Sequence, residues 1–454
     1  MRSRDETSCW RYQPKLVGMC PNSHSHSHWI VFLYGVFLIS LPHILTSRIH
    51  SSLLIVPLFC DSVQSDRGHE LTYSVAGTDP SLKLSKFGAF FYDNLVLMAP
   101  RSLDLGDGLS VENIQSFINS GRSVFIAVNN DVSEIMREIV TELGLDIDET
   151  GTVAQDHGAY DMLDSQHMHD VVIGEVAPHA TRIAGKSEKN APITFRGIGH
   201  VAQTGMTNWI SVLTGSSTAY SYGLNTVVTD YPAATGRDVR LVSALQTVGN
   251  GRIVFAGSID MLNNEFFYRP VQSSIAGSSV TRSSNGDFVR SISMWCFQER
   301  GLLRARDMRH HKVGSTNDMN PSSYRVSDDI HFGITIEEYD GESHDWKPYL
   351  ADDVQLEFIM IDPYIRSLLS HDANGRYSID FRVPDVYGVY KFVIPYQRIG
   401  LGKMDFTHTV SIRPFRHDEF ERFIGVAYPY YTGAFSMMAA FFVFGIVFLY
   451  HKEK

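Results

Sequence analysis

Residues 91–128 read FYDNLVLMAPRSLDLGDGLSVENIQSFINSGRSVFIAV, and this stretch decides the fold of the first half of the chain. Residues 91–100 predict a short apolar strand, and residues 123–128 predict a second one, of the kind that is buried on both faces of a parallel sheet. Between them, residues 111–120 place their apolar side chains on one helical face, behind the favourable N-cap Ser110. Strand, helix and strand in that order predict an open α/β sheet with right-handed crossovers.

The sequence that follows extends this pattern. Residues 133–143 predict a further helix. Residues 240–248 and 252–258 predict paired strands joined by Gly249-Asn250-Gly251, because Asn-Gly favours a tight hairpin turn. Residues 291–301 predict another helix. The fold class predicted for this half is therefore α/β.

From about residue 323 the sequence changes to segments in which apolar and polar residues alternate. These segments are 332–340, 353–362, 377–385, 388–396 and 407–415. Alternation with turn residues at regular spacing is typical of an antiparallel β-sandwich. Residues 413–422 then link this β-rich domain to the end of the chain.

Residues 423–450 contain no charged residue and are long enough to cross a bilayer, which requires about 20 apolar residues in a helix. Four tyrosines flank the stretch: Tyr428, Tyr430 and Tyr431 at its start and Tyr450 at its end. Aromatic rings are typical of the positions where a span meets the lipid headgroups. We predict one transmembrane helix at residues 427–450, followed by a tail at 451–454.

Small residues within this helix predict a contact with other helices. They are Ser436, Ala439, Ala440 and Gly445. Small side chains let helix backbones approach closely in a membrane. We therefore treat Gly445, with the four flanking tyrosines, as the residues of a membrane-anchor and interface site.

The N-terminal region, residues 1–57, is predicted to be an atypical leader. Ile30–Leu41 reads IVFLYGVFLISL, an apolar run with the length of the hydrophobic segment of a signal peptide. The region before it is long and contains Asp5 and Glu6, so a signal anchor or an incorrect gene start are alternatives. A cleaved signal would place the body of the protein in the lumen and the tail in the cytosol.

Composition excludes several classes of protein. Of 454 residues, 44% are hydrophobic and 20% are charged, which fits globular domains with a core and excludes a disordered chain. The net charge of −11 argues against nucleic-acid binding, which requires clustered basic residues. Of the four cysteines, only Cys296 lies in the main body, so a disulfide-stapled scaffold is excluded. The sequence contains no Asn-x-Ser/Thr acceptor for N-glycosylation.

Motifs of common catalytic centres are missing from the sequence: the Gly-x-Ser-x-Gly elbow, the P-loop, HExxH and CxxC. Gly249–Gly251 with Arg252 is a weak candidate for a ligand loop, and a tight turn is the alternative. Cys296 is a weak candidate for a nucleophile, and a small buried side chain is the alternative.

Asp156 and His157, with His167 and His169 nearby, form the last weak candidate. Imidazole and carboxylate groups can bind a metal ion or exchange protons, and a solvated loop is the alternative. The sequence favours the non-catalytic alternative at all three places. We therefore predict no catalytic, cofactor-binding or metal-binding residue in this chain.

Several segments carry a family resemblance. They are DRGHELTYSVAGTDPSLKLSKFGAFFYDNLVL (66–97), TGSSTAYSY (214–222), VFAGSIDMLNNEFF (254–267), QLEFIMIDPYIR (355–366), RVPDVYGVYKFVIPYQRIG (382–400) and RFIGVAYPYYTGAFSMM (422–438). Together they resemble the DDOST family, the non-catalytic 48 kDa subunit of oligosaccharyltransferase, from about Asp66 to Lys454. The resemblance implies a lumenal α/β domain with an amidotransferase-like sheet (58–310), a lumenal β-rich domain (320–415) and one anchor helix.

The resemblance also implies a function. Members belong to the endoplasmic-reticulum complex that transfers a preassembled glycan from dolichyl diphosphate to Asn-x-Ser/Thr of nascent chains, and they support its assembly and stability. The active site then belongs to a separate multi-span subunit. The implied partners are that catalytic subunit, the ribophorins and the defender-against-death subunit, and the implied location is the endoplasmic-reticulum membrane, as a single-pass type I protein.

Two other functions stay open at this point. One is an independent lumenal enzyme that depends on Cys296 or His157, and the other is a lumenal glycan- or peptide-binding module anchored near the translocon. The resemblance is also incomplete, because residues 1–57 do not match the signal and first strand of the family. Residues 52–59, SLLIVPLF, are the candidate replacement for that strand.

Overall fold

A computed structural model describes most of the chain. The described residues are 28–33, 57–75, 83–164, 169–185, 191–206, 208–224, 226–275, 280–315, 319–420 and 425–451. The chain divides into two compact units, residues 1–300 and 301–454.

The first unit combines strands and helices. Its strands are β1 (His28–Leu33), β2 (Glu70–Val75), β3 (Ser85–Lys86), β4 (Ala89–Phe90), β5 (Asn94–Leu97), β6 (Ser123–Ala127), β7 (Leu145–Ile147), β8 (Thr152–Gln155), β9 (Val172–Val176), β10 (Ile193–Phe195), β11 (His200–Ala202), β12 (Ile210–Thr214), β13 (Tyr220–Gly223), β14 (Arg240–Gln246), β15 (Arg252–Ala256), β16 (Pro270–Gln272) and β17 (Val280–Arg282). Its α-helices are α1 (Pro57–Asp61), α2 (Val111–Asn119), α3 (Glu134–Glu142), α4 (Thr181–Ala184), α5 (Asn264–Phe267) and α6 (Asn285–Cys296), and a π-helical turn at Ser62–Asp66 follows α1.

The main sheet of this unit has a parallel half and an antiparallel half. The parallel strands lie in the order β2-β1-β5-β6-β15. The sheet continues antiparallel through β14, β12, β9 and β10, and β11 and β7 attach beside β14. Strand β1 thus lies between β2 and β5, the next two parallel strands along the chain. This strand order is typical of doubly wound sheets. The predicted open α/β sheet is therefore confirmed.

Alternating side chains of the parallel strands face two different cores. Leu95, Leu97 and Val124 pack with α2 and α3 on one face, whereas Val96 and Phe125 pack with α1 and α6 on the other. Because both faces are covered by helices, these strands are apolar throughout instead of alternating. This explains why the apolar runs of the sequence identify them.

Helices α2 and α3 begin and end within one residue of where the sequence predicts. Ser110 and Ser133 cap α2 and α3, since their side chains accept hydrogen bonds from the backbone N–H groups of Asn113 and Met136. Gly121 then follows α2 with a φ of 89°, a left-handed conformation that favours glycine.

The predicted hairpin is also present. β14 and β15 pair antiparallel. Thr247 N–H donates to the carbonyl of Gly251 at 2.8 Å, and Asn250 takes a φ of 65°. Glycine is required at position 251, because an added Cβ would lie 2.2 Å from the carbonyl oxygen of Ile118. The turn thus packs directly against the end of α2.

One prediction for this unit needs correction, and two others fall partly outside the described residues. The sequence predicts a signal segment at Ile30–Leu41, of which the structure describes residues 30–33 and places them in β1, inside the sheet between β2 and β5. Residues 34–41 and most of the predicted leader lie outside the described residues. A continuous apolar run suits both a signal sequence and a strand buried on both faces, so composition alone cannot distinguish them.

Of the candidate replacement strand at residues 52–59, residues 57–59 belong to α1 and residues 52–56 lie outside the described residues, whereas β1 lies between β2 and β5. Finally, the helix predicted at 291–301 begins earlier and ends at Cys296. Residues from Arg300 onward form a strand of the second unit's sheet.

The second unit is built from two sheets and one long helix. Its strands are β18 (Arg300–Lys312), β19 (Ser323–Arg325), β20 (Asp329–Asp340), β21 (Asp345–Pro348), β22 (Gln355–Ile359), β23 (Pro363–Leu368), β24 (Ser370–His371), β25 (Arg376–Arg382), β26 (Gly388–Tyr396) and β27 (Met404–Arg413). Its long helix is α7 (Tyr428–Tyr450), preceded by a 3-10 turn at Gly425–Ala427.

The two sheets of the second unit enclose one core. One sheet has the order β18-β20-β25-β24 with β21 beside β20, and the other has the order β19-β27-β26-β22-β23. Inward residues of both sheets share a single apolar cluster, in which the Phe332 and Phe392 rings stack 4.9 Å apart. This confirms the predicted sandwich-like domain. One pair departs from the antiparallel pattern, since β19 runs parallel to β27.

Candidate functional site: the membrane anchor and the turn before it

The C-terminal helix is exposed along its whole length. Residues 425–450 form a helix long and apolar enough to cross a membrane, and none of its most apolar window is buried against the rest of the chain. The 23 residues of α7 extend about 35 Å, which exceeds the roughly 30 Å of a bilayer's hydrocarbon core. A helix that is apolar on all sides and has no protein covering requires another apolar environment. A lipid bilayer meets this requirement.

The tyrosines predicted for the anchor lie at the ends of α7. Tyr428, Tyr430 and Tyr431 are exposed in its first turn, and Tyr450 is exposed at its last residue. Gly445 lies in the last third of the helix, and an added Cβ there would meet no other atom within 4 Å. The predicted interface at Gly445 stays a prediction.

Polar side chains within α7 are satisfied inside the helix. Thr432 Oγ1 donates to the carbonyl of Tyr428 at 2.9 Å, and Ser436 Oγ donates to the carbonyl of Gly433 at 2.9 Å. Because each hydroxyl has a local acceptor, neither requires water in the bilayer. Thr432, Ser436 and Ala440 follow each other at four-residue spacing, which puts small side chains on one helix face.

The chain between the sandwich and α7 forms a compact turn, which we call the exit turn (residues 413–420). Arg413 Nη1 and Nη2 donate to the two carboxylate oxygens of Glu419 at 2.7 Å each, and Arg416 N–H donates to Glu419 Oε2 at 3.0 Å. The Phe415 and Phe420 rings lie 5.4 Å apart. The bonds from Arg413 lower the pKa of Glu419 to about 2, so this carboxylate stays charged at neutral pH.

The sequence identifies residues 413–422 only as a linker, and the structure shows that residues 413–420 form the exit turn. Arg413 and Glu419 are six residues apart in the sequence. Charged residues at this spacing have no regular contact in a helix or strand, so the sequence does not indicate the pair. Only the turn between them brings the two groups together.

The first weak candidate, Arg252, has a structural role. Its side chain is fully buried, and Nη1 donates to the carbonyls of Trp295 at 2.6 Å and Arg300 at 2.7 Å. The guanidinium also lies 4.9 Å from the centre of the Trp295 ring. Arg252 is thus engaged by backbone carbonyls, and the tight turn before it packs against the end of α2.

The second candidate, Asp156, is saturated with hydrogen bonds. Its buried carboxylate accepts from Thr218 Oγ1 at 2.6 Å, from the backbone N–H groups of Gly158 at 2.7 Å and Ala159 at 3.0 Å, and from Ser216 Oγ. Such a carboxylate has no capacity left for a metal ion or a proton shuttle. It instead fixes the loop that leads away from β8.

The histidines near Asp156 lie at the surface of this loop. His157 Nε2 lies 2.9 Å from the Tyr220 hydroxyl, and the rings of His157 and His169 are 4.6 Å apart. His167 lies outside the described residues. Among the residues that the structure describes, no three His, Cys, Asp or Glu side chains converge to hold a metal ion.

The third candidate, Cys296, is fully buried at the end of α6. Burial raises the pKa of its thiol far above the ordinary value, which the positive charge of Arg252 only partly offsets. A buried neutral thiol is a poor nucleophile. Cys296 therefore contributes to the packing of the core.

One cavity in the first unit also contains charged groups. It has a volume of about 270 Å³, and its lining includes Asp61, Asp66, Arg67, Asp287 and Arg290. Arg67 is engaged by Ser293 Oγ at 3.2 Å and Glu299 at 3.5 Å. The mixture of acidic and basic groups selects neither an anion nor a cation.

Comparison with protein families identifies both halves of the chain. The family model described as "OST48, N-terminal domain" matches residues 51–299, and that described as "OST48 middle domain" matches residues 310–452. Strand β1 lies ahead of the matched range. The two models together cover most of the chain.

Curated relatives give the same result. Proteins named "Dolichyl-diphosphooligosaccharide--protein glycosyltransferase 48 kDa subunit" match at 41% identity in Danio rerio (86% of this chain, 87% of the relative), 36% in Arabidopsis thaliana (87% and 89%) and 39% in Drosophila melanogaster (87% and 88%). Among solved structures, the PmoD soluble domain from Methylocystis matches 24% of this chain and 90% of its own length at 8% identity. The TM-score of this match is 0.18, which is too low to indicate a shared fold.

Proposed function

The chain belongs to the family of the 48 kDa subunit of dolichyl-diphosphooligosaccharide–protein glycosyltransferase, and from this premise we propose that it is a non-catalytic, membrane-anchored subunit of the oligosaccharyltransferase complex. It thereby serves protein N-glycosylation in the endoplasmic reticulum. The observation that carries the proposal is the 41% identity to a named subunit over 86% of the chain. An identity at this level and coverage involves both units and the anchor region together.

The non-catalytic role is supported by the state of the residues that could perform chemistry. Asp156 has its acceptors occupied, Cys296 is buried and Arg252 is bound to backbone carbonyls. Each of these groups contributes to packing or to loop geometry. We assign the transfer of the glycan to a separate multi-span subunit.

We further propose that the chain supports the assembly and stability of the complex. The partners are the catalytic subunit, the ribophorins and the defender-against-death subunit. The small-residue face of α7 supports contacts with other transmembrane helices, since close approach of backbones stabilises helix pairs in lipid. The α/β domain at residues 58–310 and the β-rich domain at residues 320–415 are proposed to lie in the lumen, with the tail at 451–454 in the cytosol.

The test is an affinity purification of the tagged full-length chain from microsomes in mild detergent, with the partners identified by mass spectrometry. We expect the multi-span catalytic subunit and the ribophorins to co-purify in amounts similar to the chain itself. Recovery of the chain alone, from a preparation in which a second tagged subunit still recovers the complex, would contradict the proposal. Protease protection of the folded units in sealed microsomes tests their lumenal location in the same material.

A further inference from the structure

Two connections of the second unit present a group of exposed apolar side chains, which we call the apolar tip (Ile361, Tyr364, Val386, Tyr387 and Val389). Their exposure is high for apolar residues: Ile361 is 85% and Tyr387 is 68% accessible. Ile361 lies between β22 and β23, and Val386 and Tyr387 lie between β25 and β26. Exposed apolar groups of this kind mark interaction surfaces.

Several contacts hold the two connections together. The Met360 side chain packs directly against Gly388, where an added Cβ would lie 2.5 Å from the sulfur atom. The Tyr364 and Tyr390 rings lie 5.4 Å apart, and the Tyr390 hydroxyl donates to the carbonyl of Val386 at 3.0 Å. The apolar tip is therefore one continuous surface.

The apolar tip lies at the end of the sheet from which the chain leaves toward the anchor. Gly388 pairs with Ile412, the next-to-last residue of β27, so the start of β26 and the end of β27 are neighbours. The exit turn begins at Arg413 and folds back on itself through the Arg413–Glu419 pair. Its last residue, Phe420, is another exposed apolar side chain.

The length of the chain limits how far the anchor can lie from this end. Four residues, 421–424, separate the exit turn from the helical segment that begins at Gly425. Between Phe420 and Gly425 the chain can span at most about 18 Å, even when fully extended. A membrane that contains α7 is therefore close to the end of the sheet that carries the apolar tip.

We propose that the apolar tip inserts into the headgroup region of the membrane beside α7, as a second contact of the second unit with lipid. Tyrosine and aliphatic side chains are suited to this depth, because the ring is apolar and its hydroxyl stays in contact with water. Asp362 and Asp385 are exposed next to the tip and Arg416 is exposed in the exit turn at the same end, so this end has no single sign of charge to select charged headgroups. The proposed surface is therefore zwitterionic lipid. This inference rests on the proposed membrane anchor.

The test uses the full-length chain in vesicles of phosphatidylcholine and phosphatidylethanolamine. Cys9 and Cys20 are replaced by serine, and Cys60 and Cys296 are buried and stay in place. An environment-sensitive fluorophore is attached through Tyr387→Cys at the tip. Vesicles that contain a lipid with a spin label near the headgroup then report contact as quenching. The thermal unfolding midpoint of each variant, measured beside the unlabelled chain, excludes misfolding.

Two further positions serve as references. Ile399→Cys is the matched control, because Ile399 is also an exposed apolar residue (46%) but lies in the connection at the opposite end of β26. Phe442→Cys reports the insertion of α7 itself, in matched vesicles whose lipid has the spin label deep in the acyl chain, because this residue lies well inside the span. We expect emission at position 387 to fall about two-fold and emission at 399 to stay nearly unchanged, since interfacial residues lie within about 10 Å of the acyl boundary.

Each other outcome has a distinct meaning. Quenching at 442 without quenching at 387 leaves the anchor in place and overturns the proposal for the tip. A label at 387 that is unquenched in vesicles of the purified chain but shielded in the purified complex assigns the tip to a protein partner, and the lipid proposal is then wrong. Absence of quenching at 442 overturns the membrane anchor and this inference with it.

Discussion

Arg252 determines how the end of α6 is held in the first unit. Its guanidinium is fully buried and donates to two backbone carbonyls at the C-terminal end of that helix and just beyond it. Burial lowers the pKa of Arg252 to about 10, so the side chain remains charged at neutral pH. A positive charge at a helix C-terminus also interacts favourably with the helix dipole.

Replacing this arginine should therefore be costly. Arg252→Met removes the side-chain donor to the Arg300 carbonyl and one of two donors to the Trp295 carbonyl, which keeps the Gln298 N–H at 3.2 Å. We expect the free energy of unfolding to fall by about 1–3 kcal/mol. The measurement is urea unfolding of the detergent-solubilised full-length chain, followed by circular dichroism. Arg237→Met is the matched control, because Arg237 is largely exposed and pairs with Glu175 at the surface, where we expect about 0.5 kcal/mol or less. Equal losses in the two variants would contradict this role.

His200 gives the fold a dependence on pH. Its ring is fully buried, with Nε2 at 2.7 Å from Ser243 Oγ, and burial, reinforced by Arg240, lowers the pKa of His200 to about 3. Between pH 6.5 and about 3, the unfolded chain binds a proton at this residue that the folded chain does not. The contribution of His200 to the free energy of unfolding therefore has its full value above pH 6.5 and decreases as the pH falls toward 3.

We expect His200→Gln to flatten the pH dependence of unfolding. Over the window from pH 6.5 to 4.5, the slope of the unfolding free energy against pH should decrease by up to about 1.4 kcal/mol per pH unit, the value for one proton. Urea unfolding at four pH values within the window measures this slope. Wild-type and variant curves that stay parallel would show that His200 does not titrate in this way.

At the scale of elements, the exit turn connects the sandwich to the membrane helix as an ordered segment. Arg413 and Glu419 are partly exposed, so their pair contributes little to global stability. Its effect is local, because Glu419 also accepts from the Arg416 N–H and thereby closes the turn. Local opening of such a segment is best measured by proteolysis.

Glu419→Ala should expose the exit turn to trypsin at Arg416. We expect cleavage there to become several-fold faster, while the thermal unfolding midpoint stays within about 1–2 °C of that of the wild-type chain. Asp418→Ala is the matched control, because it removes the same charge one residue away without removing a bond to Arg413. The rate of appearance of the fragment, followed by mass spectrometry, distinguishes the variants. Equal rates would mean that the pair does not close the turn.

The small residues of α7 lead to a prediction at the same scale. Gly445→Leu adds a branched side chain where a neighbouring helix is proposed to approach, and we expect partner recovery in mild detergent to fall about five-fold. Met437→Leu is the control, since at about 100° per residue Met437 lies outside both the face of Gly445 and that of Thr432, Ser436 and Ala440. The ratio of co-purified catalytic subunit to tagged chain is the measurement. Undiminished recovery with Gly445→Leu would remove this residue from the interface.

At the scale of the whole molecule, the two units divide the chain into an α/β part and a β-sandwich part, and both match the same family. The relatives that share both parts are named as one subunit of a glycosyltransferase. Function then depends on the folded units and the anchor together, and no single side chain is expected to be essential for chemistry.

This expectation can be tested in cells depleted of the endogenous subunit. Glycosylation of a reporter should return to nearly the wild-type level with Cys296→Ala or His157→Ala, because neither group is assigned a chemical step. A chain that ends at residue 427 should fail to restore it, since α7 is missing. Western blotting of the reporter's glycoforms, with equal expression of each variant, is the measurement. Loss of glycosylation in either point variant, without loss of the protein, would support an independent catalytic site.

Elements with local signals could be predicted from the amino-acid sequence. The caps Ser110 and Ser133, the Asn-Gly turn, the alternating strands of the sandwich and the uncharged span all depend on neighbours within a few residues, so short-range patterns were sufficient. The family resemblance came from the same kind of information. The fold class and the anchor could therefore be predicted before the structure.

The tertiary structure decided what depends on distant residues. It placed His28–Leu33 in the sheet, closed the Arg413–Glu419 turn, saturated Asp156 with Ser216 and Thr218, and brought the two connections of the apolar tip to the end of β27. Each of these relations joins residues whose separation along the chain follows no helical or strand period. Apolar runs and isolated charges do not indicate which distant residues they contact, because long-range pairing depends on the packing of the whole core.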